Sequence, residues 1–348
     1  KIEYKKLGEV LYKKVLNNGL TVLINHKKGL NKVFSAFITN FGAHDTTFIP
    51  INESNYITVP LGVAHFLEHK VFEMPNGIDA SDLFAKLGAD SNAYTDFNET
   101  AYIVSCTSNF NEVITTLLDF VQTPYFTDEN VKKEQGIIIE ELNMYQDNPN
   151  DRLHHLLMRN MYKKNLLRED VVGTYESIKS ITKEILYTCY NTFYHPSNMF
   201  LIISGDVDVI ETLKLIEENQ NQKTFPKFKN LKCKYNLEDN VVNKKTGSSK
   251  MDILMSKVSV GVKLPIFEYD KNEVLKIELI TKIMLENSFG MCSNNYQYML
   301  DNELINDFSY SCNFDDKSSY IKLSANSFKP KEFSKFIKQE LLKFNDYK

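Results

Sequence analysis

The chain has 348 residues, of which 43% are hydrophobic and 25% are charged, and its formal net charge is −4 at pH 7. This length suits two domains of ordinary size, and the composition is typical of globular proteins, not of disordered or membrane-embedded ones. The slightly negative charge provides no basic surface for nucleic acid. No apolar run reaches the roughly 18 residues that a membrane helix needs, so neither nucleic acid nor a membrane is expected as a partner.

The five cysteines are scattered and contain no C-x-x-C pair. An odd number without such a motif argues against a disulfide framework and favours a reducing compartment. We therefore predict a cytoplasmic protein. Because the chain opens at Lys1 and not at a methionine, we also expect the natural N-terminus to lie further upstream.

Strand and helix signals follow one another through the first part of the chain. Turn residues and alternating apolar positions predict strands between residues 10 and 40, and Pro60 marks the start of a helix that runs to about Phe72. Apolar periodicity then predicts a helix over 79–87, a strand region over 94–105, helices over 111–122, 128–146, 151–166 and 182–193, and a strand over 199–204. This mixed order indicates an α+β fold in which helices cover a mixed sheet.

A polar stretch rich in lysine and asparagine, residues 221–250, reads as a linker to a second domain. The alternative, a long surface loop inside one domain, stays open at this stage. Shifting the chain by 218 residues aligns 61–110 with 279–328 without a gap, which predicts two homologous α/β sandwich domains, over 1–220 and 251–348. The second copy is expected to be incomplete, because the chain ends before counterparts of the last helices and strand of the first.

His65, Glu68 and His69 form an H-x-x-E-H motif inside the helix predicted to start at Pro60. Two histidines four residues apart lie on one face of a helix, and the glutamate lies near them. Such a face can bind Zn²⁺ through both imidazoles while the carboxylate handles the proton of a metal-bound water. Composition alone produces this motif in on the order of one such chain in a hundred; the alternative is a helix with solvated histidines.

A catalytic zinc site needs three protein ligands, so another element must provide the third. Candidates by residue type are the remaining histidines, His26, His44, His154, His155 and His195. The predicted helix 128–146 offers Glu134 and Glu141, which lie two turns apart on a face that also carries apolar residues. A buried carboxylate pair is unfavourable unless a cation compensates it, so these two are stronger candidates than Glu140, which should be solvated.

These motifs resemble those of the insulinase/pitrilysin (inverzincin) zinc metallopeptidases, most closely the bacterial YmfH-like branch. The specific signature of that family is H-x-x-E-H with a glutamate about 70–75 residues further on, and Gly62–His69 with Glu134–Glu141 match it. The resemblance runs through most of the first predicted domain. It includes Ser91–Thr95, Thr100–Tyr102 and Tyr194–Met199.

The resemblance implies a zinc site with one Zn²⁺ per chain. His65, His69 and Glu141 would be the metal ligands, and Glu68 would be the general base. Glu134 matches a second family glutamate that supports the ligands from behind. In addition, two such domains would form half of a clamshell around a closed chamber.

The predicted function is that of a zinc-dependent endopeptidase, which cleaves peptides or small unfolded polypeptides with a metal-bound water activated by Glu68. The resemblance implies that the substrate is added as a β-strand along the edge that carries Asn92, Ala93 and Tyr94. Two alternatives remain. One is a non-catalytic zinc-containing subunit that binds peptides within a protease-like complex, and the other is a zinc hydrolase acting on a small molecule.

One departure from the family pattern bears on the partner. Active chambers of the family receive an arginine and a tyrosine, seven residues apart, from a domain of the second half, whereas the matching positions here are Asp301 and Phe308. No arginine follows Arg168. We therefore expect a homologous partner subunit to supply the Arg/Tyr pair. A heterodimer is favoured over a homodimer, because an identical copy would lack the pair too.

Overall fold

A computed structural model describes residues 1–236, 238–265 and 270–346 of the chain. The chain forms two compact units: Lys1–Leu142 with Asp170–Lys234 make up the first, and Asn143–Glu169 with the chain from Tyr235 onward make up the second. None of the helices in the described residues is both long enough and apolar enough to cross a bilayer.

Strands and helices alternate along the described chain. The strands are β1 (Ile2–Tyr4), β2 (Glu9–Val15), β3 (Thr21–His26), β4 (Val33–Thr39), β5 (Thr47–Phe48), β6 (Ile57–Thr58), β7 (Ala89–Thr95), β8 (Thr100–Cys106), β9 (Met199–Gly205), β10 (Ser256–Leu264), β11 (Asp307–Phe314) and β12 (Ser319–Ser327). The helices are α1 (Val63–Phe72), α2 (Ala80–Lys86), α3 (Phe110–Val121), α4 (Asp128–Asp147), α5 (Pro149–Met161), α6 (Tyr175–Ser180), α7 (Lys183–Phe193), α8 (Val209–Asn221), α9 (Lys271–Phe289), α10 (Asn294–Asp301) and α11 (Pro330–Leu342).

The first unit contains a seven-stranded mixed sheet in the order β1-β2-β3-β9-β4-β8-β7. Strands β3 and β9 pair in parallel, and the other neighbours are antiparallel. Strand β9 is the central strand, and its neighbour β4 lies between β9 and β8, with Ala36 opposite both Ile103 and Ile202. Strand β7 forms one edge of the sheet. This mixed sheet with its helices confirms the predicted α+β class.

Helix α1 is buried along almost its whole length and contacts β7, β8, α3 and α7. Its start is fixed by Gly62, whose φ is 85°, a conformation that favours glycine. A Cβ at this position would lie 2.2 Å from the carbonyl oxygen of Val172. Any other residue would therefore push α1 away from that loop. The H-x-x-E-H motif thus lies on an interior helix, and the alternative of solvated surface histidines is wrong.

The second unit repeats part of the first. Its sheet has the order β10-β12-β11, with both pairings antiparallel, as in β4-β8-β7. Helices α9, α10 and α11 occupy the same places in the chain order as α1, α2 and α3. Leu285, Phe289, Leu323, Phe333 and Ile337 lie at the centre of its core. The second α/β sandwich predicted from the internal repeat is therefore present.

The compact units differ from the predicted boundaries in one helix and in the linker. Helix α5 packs against β10 of the second unit and ends at Met161, before the predicted end at residue 166. The polar stretch 221–250 is tied to both units. In the first unit, the backbone of Cys233 forms an isolated antiparallel β-bridge with that of Phe48. In the second, the carboxylate of Glu238 accepts from the backbone N–H groups of residues 163–165.

Candidate metal centre

Three side chains from α1 and α4 converge in the first unit, and among the described residues they are the one group of its kind: His65, His69 and Glu141 offer ligand atoms that all lie within 4.8 Å of one another. Glu141 Oε2 is 3.7 Å from His65 Nε2 and 3.4 Å from His69 Nε2. Tetrahedral zinc bonds of about 2.0–2.2 Å separate neighbouring ligand atoms by about 3.3–3.6 Å. The donor set and its spacing therefore fit a zinc ion.

Glu134 lies behind this group and fixes the orientation of one ring. Its Oε1 is 3.1 Å from Nδ1 of His69, and its Oε2 is 3.5 Å from Nζ of Lys70. When Nδ1 of His69 donates to Glu134, Nε2 keeps a free lone pair on the side of Glu141. Lys70 is completely buried and also pairs with Glu73. These contacts provide the cation that a buried carboxylate needs.

The pKa values of the two histidines shift in opposite directions. Burial and the neighbouring His69 lower the pKa of His65 to about 3, so this ring is neutral near pH 7, the form that binds metals. Burial on its own would lower the pKa of His69 as well. However, the hydrogen bond to Glu134 and the surrounding carboxylates outweigh it, so the pKa is raised. The carboxylates around His69 therefore favour a positive charge at this site. A bound metal cation would provide that charge in place of a proton on the ring.

Glu68 lies about one turn after His65 and directly before His69 on α1, but it is not a member of the ligand group. It is buried, and its Oε2 accepts a hydrogen bond from Thr95 Oγ1 at 2.6 Å. Burial raises the pKa of Glu68, and the hydrogen bond from Thr95 offsets part of this effect. A carboxylate held next to the His65–His69–Glu141 group, with a pKa above the ordinary value, suits proton transfer.

Comparisons with known proteins match the whole chain to one family. An uncharacterized zinc protease of Bacillus subtilis (strain 168), YmfH, is 41% identical over 344 residues, which cover 98% of this chain and 80% of YmfH. The family model described as insulinase (peptidase family M16) matches residues 53–175, and that of the peptidase M16 inactive domain matches residues 180–347. The chain belongs to the insulinase family of peptidases. The resemblance to the YmfH-like branch is thereby confirmed.

Solved structures agree with this assignment. A protein of Alicyclobacillus acidocaldarius, whose crystal structure bears the name M16-like peptidase, superimposes with a TM-score of 0.93 at 34% identity over 99% of this chain and 80% of that one. A protease of Helicobacter pylori superimposes with a TM-score of 0.80 at 18% identity over 97% of this chain and 80% of that one, which supports the fold alone. The insulinase-family fold predicted for both domains is therefore confirmed.

The residues predicted to bind substrate lie on β7, the edge strand of this insulinase-family sheet. Asn92 and Tyr94 are exposed and Ala93 is half-buried, as alternation along a strand requires. Asn92 Oδ1 accepts from the N–H of Ala93 at 2.9 Å. Since α1 contacts β7, the strand predicted to bind substrate and the helix that carries H-x-x-E-H are neighbours in the structure.

The other histidines proposed as a third ligand have different places in the described structure. His26 Nδ1 bonds the carbonyl of Val207 at 2.9 Å, and His195 Nε2 bonds that of Pro226 at 2.9 Å. The ring of His44 lies tilted against that of Phe97, with the ring centroids 5.1 Å apart. His154 and His155 belong to the second unit. None of the five belongs to the ligand group, whereas Glu141 does, and Glu140 is exposed.

Sequence reasoning assigned no role to Lys70 or Thr95, although both contact the site. Thr95 ends the stretch Ser91–Thr95 that carries the family resemblance, which is a signal for the segment but not for a role of this residue. Lys70 gave no signal, because its importance depends on the burial of α1. At the positions matched to the Arg/Tyr pair, Asp301 is exposed at the end of α10, and Phe308 packs against the second core.

Proposed function

We propose that this chain is a zinc-dependent endopeptidase that cleaves peptides or small unfolded polypeptides. The observation that carries the proposal is the placement of Glu68: a buried carboxylate that lies beside the His65–His69–Glu141 group and is held by a hydrogen bond of its own. Three ligands leave one position of a tetrahedral site open. That arrangement gives metal binding and proton transfer to different side chains, which suits hydrolysis.

Each residue of the centre has a distinct part in this proposal. His65, His69 and Glu141 would hold the metal, and Glu134 would keep the ring of His69 in its binding orientation. Zinc, when bound, lowers the pKa of a coordinated water and polarises a peptide carbonyl. Glu68 takes the proton from the attacking water and delivers it to the leaving amine.

The edge of β7 is the proposed position for the substrate. An edge strand presents N–H and C=O groups along its free side, and an extended peptide can pair with them as an additional strand. Asn92, Ala93 and Tyr94 lie on this strand, and Thr95 at its end contacts Glu68. A peptide aligned with β7 therefore passes close to the base. A closed chamber around it, as implied by the family resemblance, is part of the proposal.

Replacing Glu68 by Gln tests the assignment of the base. We expect Glu68→Gln to keep one zinc per chain, because Glu68 is not a ligand, and to lose peptide cleavage. Zinc content would be measured by atomic emission, and cleavage with a library of unstructured peptides. Glu140→Gln is the matched control, since Glu140 is exposed on α4 and should keep both properties. Turnover by Glu68→Gln at the wild-type rate would refute the role of Glu68.

A second candidate is a zinc-containing subunit that binds peptides without cleaving them. Phe308, at a position matched to the Arg/Tyr pair of active chambers, packs against the second core, and no arginine follows Arg168. This candidate predicts one zinc per chain and peptide binding, with no hydrolysis even when a homologous partner is added. The combined zinc and cleavage measurements separate the two candidates.

A further inference from the structure

Thr95 joins the edge strand of the first unit to Glu68. It is the last residue of β7, and its Oγ1 donates to Glu68 Oε2 at 2.6 Å. Its hydroxyl also lies 3.3 Å from the hydroxyl of Thr100, the residue directly opposite on β8. The contact to Glu68 is the shorter one, as is usual when the acceptor is a carboxylate.

Thr100 determines where the proton of Thr95 goes. The hydroxyl of Thr100 is fully buried and donates to the carbonyl oxygen of Phe41 at 2.8 Å. Its single proton is therefore engaged, and Thr100 can only accept from Thr95. Because Glu68 is the closer and more negative acceptor, the proton of Thr95 points to Glu68. The hydrogen bond thus fixes Oε2 of Glu68. The other oxygen, Oε1, is the one that would accept a proton from water.

We infer that Thr95 is a positioning residue that holds the carboxylate of Glu68 and ties it to the strand proposed to bind substrate. This inference rests on the proposed function, and it deepens that function. Asn92–Tyr94 precede Thr95 on the same short strand, so the separation between a bound peptide backbone and Glu68 is set by two or three residues of extended chain and one hydrogen bond. Movement of the edge strand carries the base with it.

The alternative is that Thr95 only stabilises the β7–β8 pair. Loss of that stability would loosen the strand edge and raise KM. Loss of the bond to Glu68 would leave peptide binding intact and lower kcat, because a misplaced base slows the chemical step. Which of the two constants changes, kcat or KM, therefore distinguishes positioning from strand support.

The test compares Thr95→Val with Thr95→Ser in zinc-loaded protein. Valine keeps the shape of threonine and removes the hydroxyl, and serine keeps the hydroxyl. We expect Thr95→Val to lower kcat by about 10- to 100-fold, the range for a hydrogen bond to a charged group, with KM changed by less than about twofold. Serine should restore kcat to within about threefold. An increase in KM at unchanged kcat would overturn the inference.

Thr58→Val is the matched control, because it removes a hydroxyl from another cross-strand threonine pair, Thr47 and Thr58, 3.0 Å apart and exposed. It should leave both kinetic constants unchanged. Crystal structures of the two Thr95 variants provide a measurement independent of turnover. Glu68 should leave its position in Thr95→Val and keep it in Thr95→Ser. If the wild-type protein cleaves no peptide, the proposed function fails, while an unmoved Glu68 in Thr95→Val overturns the inference about Thr95.

Discussion

At the scale of single residues, one imidazole ring explains the arrangement of α4. Glu134 and Glu141 lie two turns apart and contact opposite sides of His69, at Nδ1 and Nε2 respectively. A carboxylate at Nδ1 fixes the tautomer and increases the basicity of the ring, while the one at Nε2 is placed to share a metal with it. The spacing of seven therefore places one carboxylate where it supports the ring and the other where it would coordinate a metal.

Replacing Glu141 by Gln tests this division at its coordinating end. An amide carries no negative charge and is a poor zinc ligand, so we expect Glu141→Gln to weaken zinc binding by more than the 10- to 100-fold typical of supporting residues. Competition with a chromophoric chelator would measure the dissociation constant. Its neighbour Glu140, which is exposed, offers the control Glu140→Gln, with expected wild-type affinity. Equal affinities for both variants would show that Glu141 is not a ligand.

The ligand group was predictable from the sequence, whereas two of its supporting contacts were not. His65 and His69 had to share a helical face, and the separation between His69 and Glu141 matched a family signature. Lys70 and Thr95 depend on tertiary packing. Lys70 acts because α1 is buried, and Thr95 because β7 lies against that helix. Local residue patterns predict neither the burial of α1 nor the packing of β7 against it.

At the scale of elements, β7 has two different sides. One edge pairs with β8 along its whole length, and the other is the edge of the sheet. Side chains along β7 alternate between exposed and half-buried, so Ser91, Ala93 and Thr95 share a face. Thr95, the last residue of β7, contacts Glu68 on that face. The strand therefore carries a free backbone edge and, at its C-terminal end, a contact to Glu68.

Backbone-methylated peptides test whether a substrate pairs with this edge. Alternate amides of an added strand face its neighbour, so N-methylation should weaken binding with a period of two residues. We expect about a tenfold loss at amides that face β7, from a lost hydrogen bond and a steric clash, and little change at the others. Fluorescence polarisation with zinc-loaded Glu68→Gln protein would give the dissociation constants. The amides that face away from β7 are the control for those that face it. Equal losses of affinity at every position would exclude strand addition.

Element boundaries were predicted well where local signals decide and less well where distant contacts do. Helix α4 spans residues 128–147, against a prediction of 128–146. Helix α5, by contrast, ends at Met161 because the chain then turns to place three backbone N–H groups on Glu238. That carboxylate lies more than 70 residues further along the chain. Inspection of residues 151–166 alone could not reveal it.

At the scale of the whole molecule, duplication has left two sandwich units with unequal chemistry. Ile283 and Asn287 of α9 stand at the positions that match His65 and His69, and Ile283 is 60% exposed. The fold of the second unit could be predicted because the shift of 218 residues preserves the order of its strands. The same shift puts Ile283 and Asn287 in place of His65 and His69, so the sequence also predicts that the second copy lacks the metal motif, and the match of residues 180–347 to the M16 inactive domain agrees with this.

The last prediction concerns the partner. If a homologous subunit supplies the Arg/Tyr pair, the purified chain should cleave peptides slowly, and adding that subunit should raise kcat by about 100- to 1000-fold, the effect of an oxyanion donor. The partner would be identified by affinity purification and mass spectrometry from the source cell, as a related chain without H-x-x-E-H. Replacing its arginine by alanine should cancel the increase but not the association. Full activity of the isolated chain, or a partner identical to it, would contradict this prediction, because Asp301 and Phe308 stand at the positions matched to the pair.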